Sequence, residues 1–269
     1  MIVDRINAFL SSTNQTVDET IVNEVGLLCR IAFLKQFLKR EDKPKTLRLS
    51  SIGRCVRQQA YNLLGFEQNG KQIDARARMV FFMGDLVEIA VIQLAKAAGC
   101  NIESVGQDQA IVEIEGIEGH PDGILVQDGK RYLLEVKSMS SFAFGDFERG
   151  ILDDGYRWQI NAYMAALGLS ESIVVALNKD AGVLSEMTVS QNAEIVADIK
   201  SRIGLLKAAT KENLPPRPYK PNDKGFLPWQ CTYCFAYGHC WPKAEKVLVN
   251  KAYKLKVKEN DKEMQSLPD

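Results

Sequence analysis

The dipeptide Asp128-Gly129, set between the runs 122–127 and 130–138, constrains this chain more than any other feature. Both residues tolerate positive φ, as a two-residue hairpin turn demands, so the two runs are read as antiparallel strands. Each run carries a single acid. Asp122 opens the first in Pro121-Asp122-Gly123, and Glu135 sits in the second in Glu135-Val136-Lys137. Residues two apart in a strand share a face, so Glu135 and Lys137 point the same way while Leu134 and Val136 face the opposite layer. A twisted hairpin brings the Asp122 carboxylate beside that of Glu135. Two convergent carboxylates, joined by the backbone carbonyl of Val136, make a hard oxygen site suited to Mg²⁺ or Mn²⁺. A metal held there lowers the pKa of a bound water and stabilises charge on a scissile phosphate. Lys137 would orient that water and offset the developing negative charge. This is a minimum set for phosphodiester hydrolysis.

Two helices extend the set. Ala75 to Ala98 is periodic and free of proline, with Gly99 as its stop. Within it Gly84 is read as permitting close backbone approach, and Glu88, four residues on, as a further carboxylate ligand. Tyr156 to Leu167 also reads as helical, with Gln159 and Tyr163 four apart on one face. Gln159 suits a polar contact to water or phosphate. Elsewhere the pattern predicts an amphipathic helix over Val17–Arg40, with Val22, Val25, Leu28, Ala32, Phe33 and Phe37 on its apolar side. Loops follow at Glu41–Lys45 and Gly65–Lys71, around a helix from Cys55 to Leu64. Strands are predicted at Gln109–Glu115, Ile173–Asn178 and Val183–Val189, and a helix at Asn192–Ala209. Leu214 to Pro218 is a stiff linker, and the chain ends in a lysine-rich, helical tail with a frayed end.

Each part is common alone. A Glu-x-Lys on a strand is usually a solvated face, and Pro-Asp-Gly is often only a turn. Their order carries the information. The segments Gly84-Asp85-Leu86-Val87-Glu88, Gly119-His120-Pro121-Asp122-Gly123, Leu134-Glu135-Val136-Lys137-Ser138 and Gln159-Ile160-Asn161-Ala162-Tyr163 resemble the motifs of the PD-(D/E)xK nuclease superfamily, its RecB-like exonuclease branch in particular. The resemblance covers about Ser50 to Trp241. It implies an α/β fold with a restriction-endonuclease-like core, a mixed central sheet flanked by helices. It also implies a site of Glu88, Asp122, Glu135, Lys137, Gln159 and Tyr163, with metal on Glu88, Asp122, Glu135 and Val136. Many RecB-like members carry a histidine where this chain has Glu88, which leaves the choice of metal open. His120 reads as a structural histidine near the site.

Of six cysteines, Cys231, Cys234 and Cys240 form a C-x₂-C-x₅-C triplet. In an intracellular chain that spacing favours metal over disulfide. The fourth ligand is either His239, beside the triplet, or Cys55, far upstream. One upstream cysteine, Cys55, and a C-terminal triplet bracketing the core resemble the iron–sulfur nucleases of the AddB and CRISPR-associated Cas-four types, with phage or viral members in view. That resemblance implies a 4Fe–4S cluster on Cys55, Cys231, Cys234 and Cys240 that staples N-terminal and C-terminal segments into one module. Four thiolates suit zinc as well. Cys29 and Cys100 read as core residues. Trp229, Tyr233, Phe235, Tyr237 and Trp241 read as a shield around the cluster.

The resulting organisation is an N-terminal helical segment (1–49), the nuclease core (50–213), a Cys-rich cluster module (214–242) and a basic tail (243–269). Lys plus Arg and Asp plus Glu both number 34, so net charge gives no argument for a nucleic-acid partner, but its distribution does. Residues 30–71 are basic and residues 103–122 acidic. Arg54 and Arg57, beside the first cluster ligand, are candidate phosphate contacts. Lys243, Lys246, Lys251 and Lys254 form a second basic face. No apolar run is long enough for a membrane span, and the first residues lack a signal-peptide pattern, so a cytoplasmic protein is expected (in the host cell if phage-encoded). The leading reading is a metal-dependent DNA exonuclease acting on ends or single strands in recombination, repair, phage replication or CRISPR adaptation. Competing readings are a non-catalytic DNA-binding scaffold subunit and a zinc-stabilised structure-specific endonuclease. No helicase motif is visible, so unwinding would come from a helicase, recombinase or integrase partner; oligomerisation is left open.

Overall fold

A computed structural model describes residues 1–38, 46–66 and 75–257. In chain order the helices and strands are α1 (Ile2–Ser11), α2 (Glu19–Phe37), α3 (Val56–Leu63), α4 (Ala75–Ala97), β1 (Asn101–Glu103), β2 (Val112–Ile114), β3 (Ile117–Gly119), β4 (Gly123–Gln127), β5 (Lys130–Met139), α5 (Ser141–Glu148), α6 (Asp154–Leu167), β6 (Glu171–Asn178), β7 (Val183–Ser190), α7 (Ala193–Lys207), the short α8 (Trp229–Thr232) and α9 (Tyr237–Cys240), β8 (Ala244–Val249) and β9 (Ala252–Val257). They fall into two compact units.

The first unit comprises described residues within 1–53 and 73–201. Its centre is a five-stranded sheet of order β1-β4-β5-β6-β7, as a mixed α/β core requires. Asp128 and Gly129 both adopt positive φ, and β4 and β5 pair antiparallel through Gln127↔Lys130 to Gly123↔Leu134. The hairpin read from the sequence is therefore present. β5 pairs parallel with β6, Glu135 opposite Val174 and Lys137 opposite Ala176. Such parallel pairing needs a crossover, and α5 and α6 supply it. Leu134 and Val136 pack with Ile2, Val3 and Ile6 of α1 and with Val87, Val91, Ile92 and Ala95 of α4. Burying each of the Leu, Ile and Val side chains favours the fold by about 1.5–3 kcal/mol. Glu135 faces the α6 side, where Ile160, Tyr163 and Met164 are buried.

Several expectations are corrected. α1 was not anticipated; its N-terminus is capped from β7, where Glu186 Oε2 accepts the Val3 N–H at 2.9 Å. The predicted strand Gln109–Glu115 is only β2, paired with β3 in a hairpin outside the main sheet. Asp18 caps α2 by accepting the Thr20 N–H, but Val22 and Phe33 are exposed and Ala32 and Gln36 are the buried positions. A Cβ on Gly84 would meet nothing within 4 Å, so no close backbone approach occurs there. Lys39 and Arg40, the Glu41–Lys45 loop and most of the Gly65–Lys71 loop lie outside the described residues.

The second unit comprises described residues within 54–72 and 202–269. The lysine-rich segment expected to be helical is instead the β8–β9 hairpin, turned at Asn250 and Lys251, both with positive φ. Leu255 and Val257 are buried while Lys254 and Lys256 are exposed, the period of a strand rather than a helix. Leu227, Cys231 and Trp241 pack on Leu255 and Val257. Among the described residues no helix is long and apolar enough to cross a membrane.

Candidate active site

β5 delivers Glu135 and Lys137 to one face, as their spacing requires. Glu135 is fully buried. Its Oε1 accepts from Lys137 Nζ at 2.5 Å and from Gln159 Nε2 at 2.7 Å. Its Oε2 is buried with no hydrogen-bond partner, which is costly unless something else satisfies it. Asp122, just before β4, accepts the Val136 N–H on Oδ2 at 2.8 Å, continuing the β4–β5 pairing through a side chain. In a strand the N–H and C=O of one residue point toward the same neighbour, so the Val136 carbonyl faces the Asp122 side too.

α6 covers this face. Gln159 bridges the pair, its Nε2 on Glu135 and its Oε1 3.4 Å from Lys137 Nζ. Lys137 Nζ lies 4.7 Å from the Tyr156 ring centroid. Tyr163, one turn beyond Gln159, is buried and bonded to Gln159 and to the His120 backbone. Gly119 has a structural reason to lack a side chain, since a Cβ there would overlap the Tyr163 ring. His120 itself is exposed.

The electrostatics follow from crowding acids in a dry site. Burial and then Asp122 push Glu135 up to about 7. Burial and then Asp122 push Glu88 up to about 8. Asp122 is raised by burial, against the pull of Lys137. Burial opposes charge on Lys137, but Glu135 and Asp122 outweigh it and hold the ammonium above its ordinary value. Burial and Glu135 lift Tyr163 to about 12. Three carboxyls raised by burial, with Asp122 raising both glutamates and Glu135 raising Glu88, and one orphaned oxygen among them suit a divalent cation, which would favour their charged forms. Among the described residues, no three His, Cys, Asp or Glu side chains are grouped closely enough to hold a metal ion as they stand.

Sequence reading missed three neighbours. Asp85, one turn before Glu88, accepts from Lys35 Nζ and Gln36 Nε2 of α2, both at 2.7 Å. Lys35 and Asp85 both act on the Glu88 and Asp122 carboxyls. The spacing of Asp85 from Glu88 was a usable signal. Nothing local pointed to Lys35 or Gln36, which lie some fifty residues away.

Cys55, Cys231, Cys234 and Cys240 all belong to the second unit. Burial pushes the Cys231 thiol up to about 12, helped by Cys240, Cys55 and Cys234. Burial also raises Cys55, with Cys240 adding to it, and Cys234, with Cys55 and Cys240 adding to it. The four thiols are thus electrostatic neighbours. The His239 ring packs against Phe66 and Tyr61 at 5.3 and 5.9 Å. Cys100 is buried in the first unit's core and Cys29 is half-buried. Of the shielding aromatics Trp241 is buried, but Trp229 and Tyr233 are 65% and 76% exposed.

The basic candidates are dispersed. Arg57 donates to the Pro215 carbonyl at 2.6 Å and to the Tyr61 hydroxyl at 3.2 Å. Arg54 is exposed, its carbonyl accepting from Gln59 and Arg202. Lys243 is exposed, and Lys246 lies 4.7 Å from the Tyr237 ring centroid. Lys251 and Lys254 are exposed, and Lys254 lies 5.9 Å from the Phe226 ring centroid.

No protein-family model matches the chain, and no curated protein sequence matches it. Among solved structures it is similar to SSO0001, at 16% identity and TM-score 0.47, over 79% of this chain and 93% of that one. It is also similar to LHK-Exo in complex with dAMP, an alkaline exonuclease from Laribacter hongkongensis, at 16% identity and TM-score 0.46, over 66% and 91%. A phage-related exonuclease from Haemophilus somnus 129PT matches at 12% identity and TM-score 0.40, over 63% and 93%. With TM-scores below 0.5 these likenesses are general ones, and the functional reading rests on the site itself.

Proposed function

We propose that the protein is a divalent-metal-dependent deoxyribonuclease, an exonuclease of the PD-(D/E)xK type. The observation that carries the reading is the half-buried Asp122–Lys137–Gln159 set around the buried Glu135, whose Oε2 has no partner. Asp122, Glu135 and Glu88, with the Val136 carbonyl, would hold Mg²⁺ or Mn²⁺. When bound, the metal supplies an acidified water and charge neutralisation at the phosphate. Lys137, kept protonated by its acidic neighbours, positions that water and opposes the charge that develops on the phosphoryl oxygens. Gln159 fixes the Glu135 carboxylate and the Lys137 ammonium in register. Tyr163, too buried to ionise near neutral pH, holds Gln159 in place.

The second unit is assigned a 4Fe–4S cluster on Cys55, Cys231, Cys234 and Cys240, a soft donor set without an acid among its electrostatic partners. Zinc on the same thiols is the alternative. DNA is the proposed partner, and Arg54, Lys243, Lys246, Lys251 and Lys254 are candidate phosphate contacts. Arg57 is the weaker candidate, given its internal bonds. Unwinding is assigned to a separate helicase, recombinase or integrase.

The test uses anaerobically purified full-length protein, Mg²⁺ or Mn²⁺, and labelled DNA as linear single strands, linear duplexes and covalently closed circles. Cleavage of linear forms with circles spared supports the exonuclease; cleavage of circles favours the endonuclease. Iron and sulfide content, with visible absorbance, separates a cluster from zinc. A protein inert on every substrate would leave the scaffold reading standing.

A further inference from the structure

Tyr156, Gln159 and Tyr163 of α6 are spaced three and four apart and share one face. That face lies toward β5. Gln159 bridges Glu135 and Lys137, Tyr163 is bonded to Gln159 and acted on by the Glu135 charge, and Tyr156 lies at Lys137, its ring centroid 4.7 Å from Nζ. The order along the helix follows the order along the strand, Tyr163 toward Glu135 and Tyr156 toward Lys137. The first turn of α6 is fixed independently of the site. Asp153 caps it, Oδ1 accepting the Gly155 N–H at 2.8 Å. Gly53, two residues beyond the tight turn Leu49–Ser51, packs so closely on it that a Cβ there would meet Trp158 Cβ at 2.7 Å and Gly155 Cα at 3.1 Å. The backbone that carries Tyr156 is therefore held from outside the site. Tyr156 stands outside the Gln159–Tyr163 segment that the sequence singles out.

We propose that Tyr156 is a positioning residue for phosphodiester cleavage, the face of its ring holding the Lys137 ammonium at the place from which Lys137 acts on the attacking water and the phosphate. The inference rests on the nuclease reading and adds a residue to it. Lys137 carries three N–H donors on a flexible four-carbon stem. Glu135 Oε1 takes one donor at 2.5 Å, and Gln159 Oε1, at 3.4 Å, is a long partner. These two oxygens alone leave much of the ammonium's surroundings open. The Tyr156 ring closes a further side, within the roughly 6 Å at which an aromatic face attracts a cation. The kind of group matters. A carboxylate there would capture a donor and neutralise charge that the reaction uses, and a water would compete with the phosphate. An aromatic face attracts the ammonium through its quadrupole, offers no strong lone pair to claim another N–H, and excludes water by its carbon surface. The Lys137 side chain is 13% exposed, so the attraction acts in a largely desolvated place, where it is strongest. The ring carries the effect and the hydroxyl is not needed for it.

The test compares full-length wild type with Tyr156→Phe, which keeps the ring, and Tyr156→Leu, which keeps apolar bulk without it. In protein carrying isotope-labelled lysine, the ε-methylene NMR signal of Lys137 is identified by its loss in Lys137→Arg. Protons above a ring face are shifted upfield, so this signal should lie upfield in wild type and Tyr156→Phe and at the ordinary lysine position in Tyr156→Leu. Single-turnover cleavage of linear DNA in Mg²⁺ should slow about tenfold in Tyr156→Leu, while the enzyme concentration giving half the maximal rate changes less than about twofold. Tyr156→Phe should cleave within about twofold of the wild-type rate. A Lys137 signal that is not upfield in wild type overturns the proposal and needs no variant to fold. Tyr156→Phe as slow as Tyr156→Leu also overturns it, because the hydroxyl and not the ring would then act. If wild type cleaves DNA and Tyr156→Leu matches its rate, this inference fails and the nuclease reading stands. If wild type cleaves no DNA, both fail.

Discussion

Glu88, Asp122 and Glu135 are acids placed where acids are expensive to ionise, and this has a measurable consequence. A carboxyl whose folded pKa exceeds its unfolded value holds its proton more tightly in the fold. Its contribution to stability is full below about pH 4.5 and is lost as pH rises through about 7 for Glu135 and about 8 for Glu88. Metal-free protein in EDTA should therefore lose melting temperature across that window, and Mn²⁺ should restore more at pH 8.5 than at pH 5.5, because it binds the deprotonated set. Glu88→Gln, which removes a like charge without stripping a hydrogen bond from a partner, should raise the EDTA melting temperature at pH 8.5 and abolish part of the Mn²⁺ effect. Scanning calorimetry of both proteins measures this. An EDTA melting temperature that rises between pH 5.5 and 8.5 in wild type but not in Glu88→Gln would be the wrong sign. At this scale the sequence was informative for residues whose neighbours are local. The β4–β5 register follows from Asp128-Gly129, and it sets Asp122 on the Val136 N–H and Lys137 on Glu135. Lys35 and Gln36 were invisible because they reach Asp85 through the packing of two helices.

Among the elements, α6 deserves weight because it holds Gln159 and Tyr163 over the acids, and a glycine lets it sit so close. Gly119→Ala would force the Tyr163 ring to shift, at a cost of about 1–3 kcal/mol in stability. Because Tyr163 holds Gln159, a fall in turnover should accompany the loss of melting temperature. Chemical denaturation with a parallel cleavage assay checks this; an unchanged midpoint would show that the ring has room. The elements that sequence missed were short or misleading in composition. α1 buries Ile2, Val3 and Ile6 in a core assembled mostly from residues eighty or more positions later, so its role is not local. β8 and β9 are masked in the sequence by their lysine-rich composition, which suggests a helix, although Leu255 and Val257 keep a period of two. In α2 the apolar stripe is legible in the sequence, but not which of its positions are buried: Phe33 and Phe37 both belong to the stripe and both lie exposed, while Ala32 is buried.

At the scale of the whole molecule the chain separates two chemistries into two units. Hard oxygen donors gather in the first, on the central strand β5, at the start of β4 and on α4. Thiols gather in the second, from positions as distant in sequence as Cys55 and Cys231. Bringing such positions together closes a long loop, and a metal group that binds the assembled thiols would add its binding energy to folding. The cysteine spacing is the sequence feature that points to a separate thiol-bearing part, while Lys35 and Gln36 reach Asp85 only through tertiary packing. The central claim remains the oxygen site. It is tested most directly by single-turnover cleavage of end-labelled DNA with excess enzyme, comparing wild type, Asp122→Asn and Glu135→Gln in Mg²⁺, Mn²⁺ and EDTA. Wild type should cleave in either metal and stop in EDTA, and each variant should be slower by a factor of about 100 or more, with its fold verified by circular dichroism. Cleavage that persists in EDTA, or variants as fast as wild type, would contradict the assignment.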